Sequence, residues 1–436
     1  MYCPQNSIER RATLSAASLI AAATVMAAPP GVASGDTRDL NIDPMVASVT
    51  LAPPENPYFP PIIVLGSDQR LTMSFDLLDY DVHYLRYSVT HCDAMWNPTA
   101  SLVESEWVDG FNMADIEDWV QCEATFTHYF NYSFDIPNDR LRITKSGNYV
   151  VSVYEQDDPE HVIVQRRFSV CENIASARLD VTSRTDIDYN DGHQQLTIDV
   201  TGRPGTIADP YRDLTLVISQ NNRDATSAVV TAPTMVAPDK VTYEHRPELI
   251  FEAGNEYRRF ETVSAHTLNM GVERWEYFDP YYHVTLRQDK PRRSSQYLYD
   301  QTQHGHFTIR NADTNREDAC FTADYALTHF TLDTGGPVTG GSIHIDGELT
   351  RGLSPASTRL NYDASTGCYH GTLLLKQGAY NYQYVYRPNG TGDTLAAPIE
   401  GNKYQTSNEY LVKVYYHPSG ERYDRMIAFG IITSGR

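Results

Sequence analysis

The sequence predicts an all-β protein, built as three consecutive immunoglobulin-like β-sandwich domains with little helix. Three observations carry that expectation. The 436 residues include 30 Tyr, 14 Phe and 4 Trp, and aromatic side chains favour pleated, half-buried surfaces where a tyrosine hydroxyl can stay wet. Short apolar runs alternate with period two and are cut by 26 Gly and 24 Pro, the punctuation of strands and turns. Hydrophobic residues reach 41%, enough to fill cores, and a chain of this length exceeds what one core usually holds.

Taken in order, residues 1–28 read as a secretory signal peptide. Arg10-Arg11 precede an apolar, Ala-rich run to Ala28, with cleavage expected near Ala27. The run is short for a spanning helix, and no later stretch reaches about 18 uninterrupted apolar residues. Residues 38–172 form the first expected sandwich. Met45–Leu51, Ile62–Leu65, Leu71–Phe75, His83–Val89, Thr125–Phe134, Tyr149–Tyr154 and Val162–Val170 read as strands between Pro, Gly and Asn turns. Only 101–121 lacks a clean period, with room for one short helical turn.

Residues 173–293 form the second expected domain, with Leu196, Ile198 and Val200 alternating clearly; Gln220–Arg223 reads as a polar loop. A polar linker or edge covers 294–318. Residues 319–436 form the third, with strands at Tyr325–Phe330, Ile343–Ile345, Leu373–Leu375, Leu411–Tyr416 and Met426–Ile432. Within it, Tyr380, Tyr382, Tyr384 and Tyr386 stand on one strand face.

Charge narrows the partners. With 35 Lys+Arg against 56 Asp+Glu and a net charge of −21, the chain repels phosphate backbones and anionic lipid at long range, which argues against nucleic acid. A basic protein surface is compatible. Beyond the signal lie Cys92, Cys122, Cys171, Cys320 and Cys368, an odd number in a compartment that permits disulfides. Cys92 with Cys122, and Cys320 with Cys368, each fall inside one expected domain; spacing leaves the connectivity open.

Candidate chemistry is sparse. His91-Cys92-Asp93 suggests an activated thiol. On a strand, however, residues 91 and 93 share a face and Cys92 points to the other, so the triplet reads first as structural. His304 and His306 resemble a metal pair that lacks a third ligand. The tyrosine stripe at 380–386 could stack on sugar rings, although alternating tyrosines also build sandwich walls. Gly-x-Ser-x-Gly, His-Glu-x-x-His, Walker and dinucleotide patterns are absent. No cofactor, metal or catalytic residue is expected.

One stretch carries a resemblance. Leu65-Gly66-Ser67, the 71–79 run with Ser74-Phe75-Asp76, Tyr84, Tyr87, His91-Cys92-Asp93 with Trp96, and Gly110-Phe111 resemble the type IX secretion system plug protein family of exported bacterial proteins. The likeness continues through Thr127-His128-Tyr129, Ser146-Gly147-Asn148-Tyr149, Arg166-Arg167-Phe168, Gln220-Asn221 and Ala253–Arg258. It ends with Leu375–Gly378, Tyr380, Tyr382, Glu400-Gly401, Asn408, Tyr410 and Arg422–Arg425. Two loops depart from the family pattern, at Arg223-Asp224 and at His304-Gly305, which bears on local surface only. The resemblance implies a non-enzymatic periplasmic gatekeeper, associated with the outer membrane through a large translocon barrel whose periplasmic mouth it seals when no cargo passes. Asp79-Tyr80-Asp81 is a candidate docking loop. The competing expectation is a carbohydrate-binding or glycan-processing accessory protein using Tyr380, Tyr382, Tyr384 and Tyr386. A Cys92-based redox enzyme is a third.

Overall fold

A computed structural model describes residues 36–267, 269–314 and 319–435; the expected signal peptide and its cleavage point near Ala27 lie outside the described residues. The chain is all-β, about 49% strand and 6% helix. Its strands gather into three lobes, each around its own core.

In the first lobe two sheets face each other. One orders Leu40–Asn41, Asp158–Cys171, Gly147–Glu155, Leu85–Cys92 and Ala114–Asp115, with Ile62–Val64 parallel to the end of Asp158–Cys171. The other orders Val46–Ala52, Leu71–Leu77, Phe130–Ile136 and Asp118–Gln121. Leu71, Met73 and Phe75 meet Tyr87, Val89, Val151, Val153 and Phe168 between the sheets, as period-two alternation requires. The aperiodic stretch 101–121 holds one short 3₁₀ turn, Glu104–Glu106, and three short strands.

The middle lobe is also a sandwich, but its chain is not continuous. Ala175–Thr182, His193–Gly202, Lys240–Tyr243, Met235–Val236 and Ile250–Glu252 make one sheet. The facing sheet joins Arg223–Val230 and Leu214–Gln220 to Glu409–Tyr416 and Arg425–Thr433. The C-terminal strands, expected within 319–436, thus complete the middle lobe. Their alternation explains the exchange: Tyr410, Val412, Val414 and Tyr416 fill the middle core, while Leu411 and Tyr415 face a separate small core against the first lobe. A strand buried on both faces reads as a continuous apolar run, which names no partner.

The third lobe is one nine-stranded sheet from Arg258–Glu261 at one end to Val272–Phe278 at the other. Strands from both ends contribute to a single core. Phe260 from the first strand meets Phe330 from far along the order, centroids 5.7 Å apart, so the sheet folds over on itself. Arg258–Glu261, Val272–Phe278 and Tyr281–Leu286, expected in the second domain, belong here. The expected polar linker 294–318 contains a strand, Phe307–Ile309, paired to Gly378–Pro388. Arg223–Val230, whose start read as loop, is an edge strand with half of its residues exposed.

Candidate functional site

His91 and Cys92 end the strand Leu85–Cys92. His91 is 2% exposed; its Nε2 donates to the Ser146 carbonyl (3.1 Å) and its Nδ1 lies 2.8 Å from the Thr99 hydroxyl. Both ring nitrogens are therefore spent on structure, and burial lowers the imidazole pKa. Cys92 is fully buried, and burial pushes its thiol up to about 12, the reverse of an activated nucleophile. Asp93 organises the following loop: its carboxylate accepts from the amides of Met95 and Asn97, both at 2.8 Å. The three side chains do not converge, which disposes of a Cys92-based active site.

That loop presents Trp96, held at φ +68°, against the guanidinium of Arg167 (4.5 Å to the ring centroid) and the ammonium of Lys413 (5.1 Å). Lys413 comes from the middle lobe. Its Nζ donates to Ser169 Oγ (2.9 Å), which donates to Asn148 Oδ1 (2.8 Å); Tyr415 donates to the same oxygen (2.7 Å). Ala94 N donates to Asp424 (2.8 Å), and Arg425 grips Glu172 with two nitrogens (2.9 and 2.6 Å). Beside these polar contacts Ile62, Ala94 and Cys171 pack on Leu411, Tyr415 and Met426. The His-Cys-Asp-x-x-Trp stretch is a joint between two lobes. Gly110 and Phe111 lie at the end of a two-stranded ladder, Val108–Gly110 on Leu141–Ile143: Gly110 sits at φ +109° where a Cβ would strike the Arg140 carbonyl, and Phe111 is exposed.

A second joint ties the first lobe to the third. Asp76 and Lys376 are 0% and 1% exposed, with Nζ 2.5 Å from Oδ2. The same carboxylate accepts from Tyr325 (2.6 Å) and from the Asn131 amide (2.7 Å). The ammonium also donates to the Cys320 carbonyl and faces the Tyr129 ring at 4.1 Å. Nearby, Asp324 caps the amides of Phe126 and Thr127 (2.7 and 3.1 Å).

A third joint links middle and third lobes. Asn255 donates to the Glu400 carbonyl (2.9 Å), Arg223 pairs with Asp346 (2.8 Å), and Arg351 donates to the Asn222 carbonyl (2.9 Å). The Arg223 departure, expected to touch surface properties only, is thus a contact between lobes. Glu400 is buried between Arg258 (3.0 Å) and Arg292 (2.8 Å); burial alone would raise its pKa, but the two guanidiniums hold it below the ordinary value. The other departure keeps its turn: His304 takes φ +52° and Gly305 +94°, where a side chain on Gly305 would meet the Tyr257 ring.

The sugar platform does not form. Tyr380, Tyr382 and Tyr384 are 2%, 4% and 0% exposed, and Tyr382 and Tyr384 donate to Asp289 at 2.7 and 2.9 Å. Tyr386 is half-buried and donates to the Thr339 carbonyl. Covered rings offer no face to a pyranose. His304 Nδ1 lies 3.1 Å from the Ser407 carbonyl and His306 Nδ1 2.8 Å from Glu348, and among the described residues no group of three or more His, Cys, Asp or Glu could hold a metal ion. The expected disulfides are absent as well. Cys92, Cys122, Cys171 and Cys368 are in no disulfide; Cys92 and Cys122 lie at opposite sheets of the first lobe.

The geometry therefore defines an all-β body of three lobes, with the buried Asp76 and Lys376 and the Trp96-facing Lys413 at the joints between them. Comparison with known proteins agrees with that class. Residues 46–172 match the model of the type 9 secretion system plug protein 1st domain. A crystal structure of a hypothetical protein from Parabacteroides merdae ATCC 43184 is similar over 91% of this chain and 99% of its own, with 36% identity and a TM-score of 0.88. No curated protein matches. The chain belongs to the type 9 secretion system plug protein family, and its role lies in type IX secretion.

Proposed function

We propose that this protein is a non-catalytic plug: a folded body that docks at the periplasmic mouth of a large outer-membrane translocon barrel and closes its pore when no cargo passes. The family match carries the reading. It is supported by where the family's motifs lie. Asp76, Asn148, Asn255, Lys376, Glu400, Asp424 and Arg425 all make contacts between lobes, so what the family shares is a way of fixing three lobes as one body. A plug needs that stiffness, since a wide aqueous pore leaks around anything that flexes. Release calls for an interface polar enough to reverse, of the transient size class. Periplasmic residence follows from the same reading.

The test is recovery of the tagged full chain from a native envelope with its partners identified by mass spectrometry. A very large outer-membrane barrel of the secretion system is the expected partner, and a strain lacking the plug should admit small periplasm-excluded solutes. Recovery without a barrel, from an envelope that contains one, would refute the reading.

A further inference from the structure

The second sheet of the first lobe ends in Asp118–Gln121, paired on one side only. All four residues are exposed. Cys122 N donates to the Tyr129 carbonyl (3.0 Å), and antiparallel alternation then turns the amides of Asp118 and Val120 inward. The N–H and C=O groups of Trp119 and Gln121 face outward. The next outward amide, Glu123 N–H, is already taken by the Phe321 carbonyl of the third lobe (2.8 Å), so lateral pairing on this edge has begun and stops two residues short. Natural edges are protected by Lys, Pro, bulges or cover. Asp-Trp-Val-Gln carries neither Lys nor Pro, and its register with Phe130–Ile136 is unbroken.

Beside this edge the surface is aromatic. Phe126 reaches across to the third lobe, its ring 4.6 Å from Tyr277 and 5.2 Å from Tyr282. Phe126, Tyr277 and Phe278 remain 53%, 42% and 57% exposed. The charge here is acidic. Glu117 and Glu276 are paired to Arg140 and Arg274, while Asp118, Glu273 and Asp279 have no ion-pair partner among the described residues.

We propose that Asp118–Gln121 is a docking edge, completed by an extended, basic segment of the outer-membrane barrel that adds to it as a further strand. Outward main-chain groups select an extended partner. The flanking rings take its apolar side chains, and the unpaired carboxylates, within a chain of net charge −21, select Lys or Arg on it. This rests on the plug reading and specifies which surface meets the barrel.

The experiment uses the full-length tagged protein in its native envelope. Gln121→Pro deletes one outward N–H and no internal ladder bond; Asp118→Lys reverses the charge. Tyr189→Ala, on an exposed ring of the middle lobe, is the control. Both edge variants should lower barrel recovery by about tenfold or more at unchanged melting temperature, and the control should not. A photo-crosslinking phenylalanine analogue at Trp119, in a chain otherwise unaltered, should join a Lys- or Arg-bearing barrel peptide; the same analogue at Tyr189 should not. Wild-type barrel recovery by both edge variants, or crosslinking from Tyr189 and not from Trp119, overturns the docking edge while leaving the plug intact. If the wild-type chain recovers no barrel, both fall.

Discussion

Lys376→Met tests the joint between the first and third lobes most directly. The ammonium is 1% exposed and its partner Asp76 0%. Removing it leaves a carboxylate sealed from water with only the Tyr325 hydroxyl and the Asn131 amide as neutral donors. Breaking a buried pair from one side costs about 3–5 kcal/mol, since the remaining charge is uncompensated. The amides of Phe126 and Thr127, which donate to Asp324 across the same joint, report its opening. If that cost is spent on separating the lobes, their native-state hydrogen exchange should quicken by about two to three and a half powers of ten, at ~1.4 kcal/mol per tenfold. Adding Asp76→Leu removes the stranded charge, while Tyr325 keeps the Ser48 hydroxyl (2.7 Å) and Asn131 keeps Ser74 Oγ (3.1 Å) as partners, so neither is left unsatisfied. The double variant should therefore be no less stable than Lys376→Met, and urea midpoints for the four members of the cycle measure this. A single-variant cost under about 1 kcal/mol, or costs that simply add, would refute the view that this pair fastens the lobes.

Other expectations are simpler to check. A charged maleimide applied to the native protein should leave Cys92 and Cys171 unmodified, since both are buried and their thiols are pushed up to about 12 and about 11; mass mapping reads this, and rapid Cys92 labelling would contradict it. Tyr384→Phe loses one of two hydroxyls on Asp289 and should cost about 1 kcal/mol. Tyr384→Ala should cost about 3–5 kcal/mol through the cavity it leaves, with no change in retention on polysaccharide. Burial depresses the Lys413 pKa from 10.5 to about 8. Between those values the unfolded chain binds more protons than the folded one, so stability contributed by this site rises with pH and is lowest below about 8. Lys413→Met should flatten that rise in urea midpoints taken from about pH 7 to about pH 10; an unchanged slope would show that the group does not titrate as stated.

Much of the fold was legible because period-two alternation survives wherever one strand face meets a core. Leu71, Met73 and Phe75 read correctly for that reason, as did Leu196, Ile198 and Val200. Lobe membership was not legible. Glu409–Tyr416 buries both faces, one in the middle core and one against the first lobe, and its Tyr-Leu-Val-Lys-Val-Tyr-Tyr run reads as a strand of whichever domain precedes it. Arg223–Val230 was missed because an edge strand with polar side chains looks like loop. The joints were hidden for a different reason. Asp76 and Lys376 are 300 residues apart, and nothing local to Asp76 distinguishes a buried carboxylate from a solvated one. The one available signal was a Lys in an otherwise apolar strand, Leu373-Leu374-Leu375-Lys376, where a charge is costly unless partnered.

That hidden chemistry changes what the family motifs mean. A sequence signature dense in His, Cys, Asp, Trp and Arg invites a search for catalysis, yet here His91 and Asp93 fix the local loop, while Trp96 and Arg425 meet partners across a joint between lobes. Buried charged pairs stabilise little relative to apolar packing, because desolvation offsets most of the attraction. Their strength is in geometry: a carboxylate held by an ammonium, a hydroxyl and an amide has one good arrangement, whereas an apolar contact tolerates sliding. Three charged joints, at Glu172/Arg425, Asp76/Lys376 and Arg223/Asp346, close a triangle, since each lobe is fastened to both others. A hinge that pivots on any one joint would have to break one of the other two. For a body proposed to close a wide pore, shape has to persist under load, and a closed triangle of charged joints resists bending more than a linear string of sandwiches would.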